Sequence, residues 1–500
     1  MRNTNNAYNL YVQKMRKIAD VRHSISVLNW DKEVNLPKKG SSARSRQIAT
    51  LSGIAHEMFV NKEFGDLIDT LHRGNHLDER QRKNIELTHK DYQKATKYST
   101  NFVVRLSEVT SETYHAWLKA RQENDFDIFK EPLTHLVDIK KEEAALLGYE
   151  HHPYDALMDI FEPGANTADT DILFKDVREQ LVDFVRRIRE KTQVDDGFMR
   201  KFYAKDKQWK LGLEMLKSMG YDFEAGRQDI SEHPFTTNFS ASDVRVTTRI
   251  DEYDFGNMIW SCIHEGGHAL YEQGLPEDQY GLPLGNFLSL GIHESQSRLW
   301  ENNVGRSLPY WKANYGRIQT AFPDNLGDVN TVDFYKAMNR VNPNLIRTDS
   351  DELHYHFHIL IRYEIEKGLI EGSLQTNDLR DIWNDKYKEY LGVEVPDDKR
   401  GILQDIHWSH GSFGYFPTYS MGSFYAAQFF KQAEKDIPNL IQKIEQGNTA
   451  DLLTWLRENI HQYGRFYTAD ELCKRITGEK LNFRYFMEYA GQKYSEIYDL

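Results

Sequence analysis

The stretch "SCIHEGGHALYEQG", residues 261–274, sets His264 and His268 four positions apart with Glu265 between them. No proline interrupts the run from Asp254 to Gln273, so the spacing predicts a helix there. Residues four apart on a helix stand one turn above each other on the same face, so both imidazoles can point a nitrogen at one ion. Glu265 sits about 100° round from His264, beside such an ion, where its carboxylate can take a proton from water without being a ligand. Cys262, about 200° away, is excluded from the ligand set.

With 19 histidines in 500 residues, this pattern arises by chance in roughly one chain in twenty, so further ligands have to be found. A catalytic zinc site takes three protein ligands and leaves a fourth position open. Downstream, "NFLSLGIHESQSRLWENN" (286–303) has helical spacing after a candidate Asn286 cap, and the glycines and prolines of "GLPEDQYGLPLG" (274–285) let a second helix fold back on the first. Glu294 is the third ligand on this reading. Glu301, two turns on, is its rival and can instead pair with Arg298; His293 points to another side and reads as a supporting or substrate group.

The rest of the chain is mostly helical in pattern. "LDERQRKNIELTHKDYQKATKY" (77–98) and "LFKDVREQLVDFVRRIREKTQ" (173–193) repeat apolar residues at threes and fours, and the breaks between such runs are short. One exception is "SDVRVTTRI" (242–250), where Val244, Val246, Thr248 and Ile250 alternate with Asp243, Arg245, Thr247 and Arg249. That is a strand with one wet face, expected in a small antiparallel sheet beside the 254–273 helix, its polar face open to pairing with a peptide backbone. With no repeat and no long linker, a single domain spanning 1–500 is expected. Residues 1–230 would form a mostly helical half, 231–422 the metal and substrate motifs, and 423–500 the C-terminal helices.

Composition narrows the function. A formal charge of -13 argues against nucleic-acid backbones as partners, and no apolar run reaches the length of a membrane span. Two cysteines, Cys262 and Cys473, are too few for a disulfide framework and fit a reducing, cytoplasmic setting. Within "VNPNLIRTDSDELHYHFHIL" (341–360), His354 and His358 share the one-turn spacing but lack an intervening glutamate, and read as a polar network rather than a second metal site. Arg347 there offers a fork of donors to a substrate carboxylate. The glycine- and aromatic-rich "GILQDIHWSHGSFGYFPTYSMG" (401–422) reads as a tight loop whose His407 and Tyr419 can position substrate and stabilise an oxyanion.

Taken in order, "HPF" (233–235), "DVRVT" (243–247), "HEGGH" (264–268), "HESQ" (293–296), "IRTDSD" (346–351) and "GILQDIHW" (401–408) resemble the motif series of the carboxypeptidase Taq family of zinc metallocarboxypeptidases. Ser350 stands where that family's IRxxAD pattern has alanine. The resemblance implies a mainly α fold with a deep active-site groove, zinc on His264, His268 and Glu294, with cobalt able to substitute, and Glu265 as the catalytic base. It also implies a homodimer that removes single residues, with broad specificity, from peptides with a free carboxyl end. His233, Asp243, Arg245, Arg347, His407 and Tyr419 fall on its substrate motifs. A helical-groove oligopeptidase or dipeptidyl carboxypeptidase is the competing enzyme, and a zinc-stiffened helical binding protein the competing non-enzyme.

Overall fold

The three-and-four spacing of apolar residues carries through most of the molecule. A computed structural model describes residues 2–500, with side chains from residue 6, and is 70% helical with one small sheet. Among the described residues, no helix is long and apolar enough to cross a membrane. Contacts divide the chain into two compact units, residues 1–96, 195–338 and 429–480 in the first and 97–194, 339–428 and 481–500 in the second.

The first unit opens with α1 (Arg2–Val34), whose Tyr11 and Ile18 pack with Phe64, Ile68, Ile85 and Leu282 in one buried cluster. Asn84 adds a polar tie, donating from Nδ2 to Gln279 Oε1 at 2.9 Å and accepting from the Leu284 amide at 3.0 Å. The Gly- and Pro-rich 274–285 segment is therefore pinned to the N-terminal helices by both apolar and hydrogen-bonded contacts.

At the centre of this unit, α2 (Lys205–Met219) and the sheet flank α3 (Phe255–Glu272), which carries both histidines and Glu265. One side of α3 buries Phe255, Met258, Ile259, Cys262 and Ile263 at threes and fours, an apolar stripe that holds the helix against its neighbours. After the 274–285 segment comes α4 (Leu290–Arg298), running on into a π-helical turn, Leu299–Gly305. Its cap is Ser289, whose hydroxyl accepts from the Ile292 amide at 3.2 Å, and not Asn286, which closes a preceding 3-10 turn in extended conformation.

The sheet has β1 (Gly226–Ile230), β2 (Thr236–Ser240) and β3 (Asp243–Thr248) in the order β1-β3-β2. It is mixed, not antiparallel as expected: β1 runs parallel to β3 and β2 antiparallel. The chain reverses once at 231–235 and again at 241–242, so β1 and β3 share a direction. The fully buried Val244 and Val246 then draw β3, the most apolar strand, into the middle. Both edges of β3 are consequently bonded to its neighbours, which corrects the expectation that this strand pairs with a peptide. Its wet face is also shorter than expected, because Thr247 is buried and bonded to Ser231 Oγ at 2.7 Å.

In the second unit α5 (His354–Glu371) is buried almost all round, including His354, His356, His358, Arg362 and Glu366. A helix without a wet face has to sit inside other helices. Among its neighbours are the 153–161, 167–189 and 379–390 helices, met through pairs such as Tyr154–Tyr363, Phe174–Tyr363 and His358–Tyr387.

The two glycines of "HEGGH" explain how α3 packs. A Cβ on Gly267 would stand 2.6 Å from Ser297 Cα and 2.8 Å from the Gln296 carbonyl oxygen, both backbone atoms of α4. On Gly266 it would meet only movable side-chain ends of α2, Leu216 Cδ2 at 2.8 Å and Met219 Cε at 3.0 Å. Alanine gains about 1 kcal/mol of helix propensity at either site, while overpacking against fixed backbone costs about 1–3 kcal/mol. Gly267→Ala is therefore expected to lower the midpoint of chemical unfolding clearly more than Gly266→Ala, and equal effects would contradict the close α3–α4 approach.

Candidate metal centre

Because Gly267 lets α4 lie against α3, Glu294 reaches the histidine face. Its Oε2 lies 3.8 Å from His264 Nε2 and 3.6 Å from His268 Nε2, and one donor atom from each of the three residues falls within 4.8 Å of the others. A tetrahedral ion with bonds of about 2.0–2.1 Å holds its ligand atoms roughly 3.4 Å apart. The two Glu294 distances lie close to that spacing, and the three donors can close on a small divalent cation; among the described residues they are the only such group of His, Cys, Asp and Glu.

The surroundings prepare each donor. His264 places Nδ1 2.8 Å from Glu301 Oε2, which puts the proton on Nδ1 and turns the Nε2 lone pair towards Glu294. Arg298 donates from Nε to Glu294 Oε1 at 2.7 Å and from Nη1 to Glu301 Oε2 at 3.1 Å, while Arg306 Nη2 reaches Glu301 Oε1 at 3.1 Å. Burial alone would raise both glutamates. Arg298 and His264, together with His268 at Glu294 and Arg306 at Glu301, outweigh it and hold both well below the usual carboxylate range. His268 is pushed down to about 3, first by burial and then by His293, so it stays neutral and free to ligate. Burial also presses His264 down, but Glu294 and Glu301 win and raise it. A divalent cation on Nε2 would take the place of the second proton on that ring.

Glu265 is 7% exposed, and its Oε2 accepts from Thr236 Oγ1 at 2.6 Å. Burial raises its pKa despite His264 and Thr236, the direction required of a group that has to accept a proton and later release it. His293 stacks on His268 with ring centres 4.4 Å apart and meets Glu272 Oε1 at 2.9 Å. It packs on one of the three candidate donors and is not among them. Sequence reading weighed Glu301 as a rival ligand; the structure makes it the partner of His264. Arg306 and Thr236 went unnoticed, because neither lies at a helical spacing from the histidines.

The remaining sequence-singled residues sit elsewhere. Asp243 and Arg245 pair with each other, Nε to Oδ1 and Nη2 to Oδ2, both at 2.9 Å. The Arg245 guanidinium also lies over Trp30 and Phe239 at 4.5 and 4.8 Å, so both residues are occupied in bracing the sheet. His233 is exposed, and its carbonyl accepts from Ser231.

In the second unit, Arg347, His407 and Tyr419 do come together. Arg347 gives Nε and Nη2 to Asp405 at 3.1 and 2.9 Å and Nη1 to Tyr355 at 2.8 Å, and its guanidinium lies 5.0 Å from the centre of the Tyr419 ring. His407 Nε2 is 3.2 Å from the Tyr419 hydroxyl. Arg362 shares Asp405, donating from Nε at 2.7 Å, so one carboxylate faces two guanidinium groups and the cluster keeps an excess positive charge. The fork of Arg347 is thus largely taken by Asp405, a residue inside the quoted "GILQDIHW" that sequence reading passed over. Burial pushes His407 down to about 3, leaving it neutral. His354 bonds Asp351 at 2.6 Å, and His358 bonds Ser350 and Tyr387 at 2.7 and 2.9 Å, a buried polar network as expected.

Comparison with known proteins finds relatives along almost the whole chain. Residues 10–494 match the family model described as carboxypeptidase Taq (M32) metallopeptidase. Carboxypeptidase 1 of Bacillus subtilis is 38% identical over 486 residues, 97% of each chain. A solved structure described as that of CHT superposes with a TM-score of 0.97 at 58% identity, covering 98% of this chain and 99% of the other. The M32 carboxypeptidase of Deinococcus radiodurans also gives 0.97, at 34% identity over 99% and 100% of the two chains. The chain belongs to the carboxypeptidase Taq (M32) family and is a metallocarboxypeptidase.

Proposed function

We propose that His264, His268 and Glu294 hold zinc, with cobalt able to replace it, and that the enzyme releases single residues from peptide carboxyl ends with broad tolerance of side chain. The observation that carries this reading is an open set of three donors with a fourth residue, the buried carboxylate Glu265, beside it and not part of it. A structural site would close all four positions. Zinc, when bound, lowers the pKa of a coordinated water towards ~7 and polarises the scissile carbonyl.

The chain supplies the rest. Thr236 fixes Oε2 of Glu265, leaving Oε1 to accept the proton of the attacking water and deliver it to the departing amine. Glu301 keeps His264 in one tautomer. The excess positive charge around Arg347 and Arg362 favours a substrate carboxylate, with Arg347 and His407 orienting it and Tyr419 offering its hydroxyl to the developing oxyanion. Asp243, Arg245 and His233 belong to the substrate region through the motifs they occupy. The same reading has a cytoplasmic homodimer; two buried free cysteines suit a reducing compartment.

Glu265→Gln is expected to retain zinc while losing about two or more decades in kcat; near-normal turnover in a zinc-loaded variant would remove Glu265 from its role. Glu301→Gln should weaken zinc about 10–100-fold in competition with a chromogenic chelator, and an unchanged affinity would show that His264 needs no orienting partner. On a free-ended peptide, mass spectrometry should follow stepwise loss of single residues, abolished by chelation and by amidation of the carboxyl end. Paired or internal cuts would point instead to a dipeptidyl carboxypeptidase or oligopeptidase.

A further inference from the structure

Glu366 is completely buried near the middle of α5, and none of the metal-site or substrate residues above bonds to it. Arg362, one turn earlier, directs its hydrogen bonds to Asp405 and the His358 carbonyl, so the Glu366 carboxylate takes its own from other residues. They come from two separate segments, the 407–414 turn and the 153–161 helix. Trp408 Nε1 donates to Oε1 at 2.8 Å, and Tyr154 Oη and the Gly414 amide donate to Oε2 at 2.6 and 2.9 Å. Burial nonetheless pushes its carboxyl up to about 7, against the three donors and Arg362.

These donors span the turn that carries His407. That turn is closed on itself, with the Ser412 amide donating to the His407 carbonyl and the Gly411 amide to the Trp408 carbonyl, both at 3.0 Å. Glu366 grips it at both ends, at Trp408 and at Gly414. The grip extends to the 153–161 helix, which supplies Tyr154. Against that helix Gly414 adopts φ +92°, and a Cβ there would stand 2.6 Å from the Leu157 carbonyl carbon. Glu366 therefore joins α5, the 153–161 helix and the 407–414 turn at one point, next in sequence to the imidazole that faces Tyr419.

We propose that Glu366 is a positioning residue: its carboxylate, by accepting from Trp408, Gly414 and Tyr154 together, holds the 407–414 turn so that His407 stays in register with the Arg347–Asp405 cluster. This rests on the reading that the cluster receives the substrate carboxylate. Two of the three donors, the indole and the amide, cannot reverse their hydrogen bonds. Glutamine, though isosteric, brings an NH2 that must face either the Trp408 N–H or the Gly414 N–H, and a buried donor facing a donor is costly. The conservative substitution should therefore fail here, and it should be relieved by removing the opposing donor.

The test uses the metal-loaded full-length enzyme carrying Glu366→Gln, Trp408→Phe, both together, or His407→Ala, with a short amino-blocked, free-ended peptide as substrate. Glu366→Gln is expected to raise KM about tenfold with kcat nearly unchanged, as loss of ground-state and transition-state binding alike requires. The double variant should match Trp408→Phe alone in both KM and Tm, because the amide then meets no donor. Additive losses in the double variant overturn the inference, as does an unchanged KM in Glu366→Gln when His407→Ala raises it. If KM is unchanged in His407→Ala, the substrate reading fails and the inference with it, a failure told apart by a Tm cycle that stays non-additive. Should Glu366→Gln not fold, the double variant decides: folding with the KM of Trp408→Phe supports the proposal, and failure to fold overturns it.

Discussion

Two helix backbones touch at Gly267, and the candidate metal centre depends on that contact. A carboxylate side chain is short, and Glu294 comes within 3.6–3.8 Å of both imidazoles only because α4 lies against α3 with no side chain between them. The hydrogen bonds of Arg298 and Glu301 act downstream of that approach. Without it they would orient a carboxylate and an imidazole too far apart to share an ion. The glycine pair inside "HEGGH" is thus a packing requirement, one residue for α2 and one for α4, while the histidines and glutamate around it supply the chemistry.

Burial sets the second condition. Near the centre Glu265, Glu294 and Glu301 are each less than a tenth exposed, and two arginines stand among them. The arginines contact Glu294 and Glu301 and keep them ionised, whereas the Glu265 carboxylate accepts from a neutral hydroxyl, that of Thr236. Carboxyl groups of the same kind on two adjoining helices thereby acquire opposite tendencies, two held as anions and one lifted towards proton exchange. Environment, not residue type, divides the labour.

What could be read from the sequence was whatever follows a local period. The α3 helix, the β3 strand and the spacing of His264, His268 and Glu265 all obey periods of 3.6 or 2, and α4 followed from its own. Sheet order did not, because which strand takes the centre depends on relative burial among three segments and not on any one of them. The cap of α4 was misplaced from Ser289 to Asn286 because both are good capping residues and only the preceding 3-10 turn decides between them. Asp405 was invisible for a different reason. Its role comes from two arginines 58 and 43 positions away, a distance at which no spacing rule operates. The division of the chain into two units, each assembled from three separate segments, has the same origin.

The π-helical turn at Leu299–Gly305 places the last demand on this arrangement. It breaks the phase of one continuous rod, so that its first part is registered by the histidines of α3 and its second by Arg306, which sits 3.8 Å over the Trp260 ring and donates to the Met338 carbonyl. Glu301 lies inside the break and answers to both, accepting from His264 on one side and from Arg306 on the other. The number of residues between Glu294 and Arg306 is thus constrained independently of which residues they are. Gaining or losing one position there would turn the two ends of the rod out of step, and Glu301 could no longer meet His264 and Arg306 together.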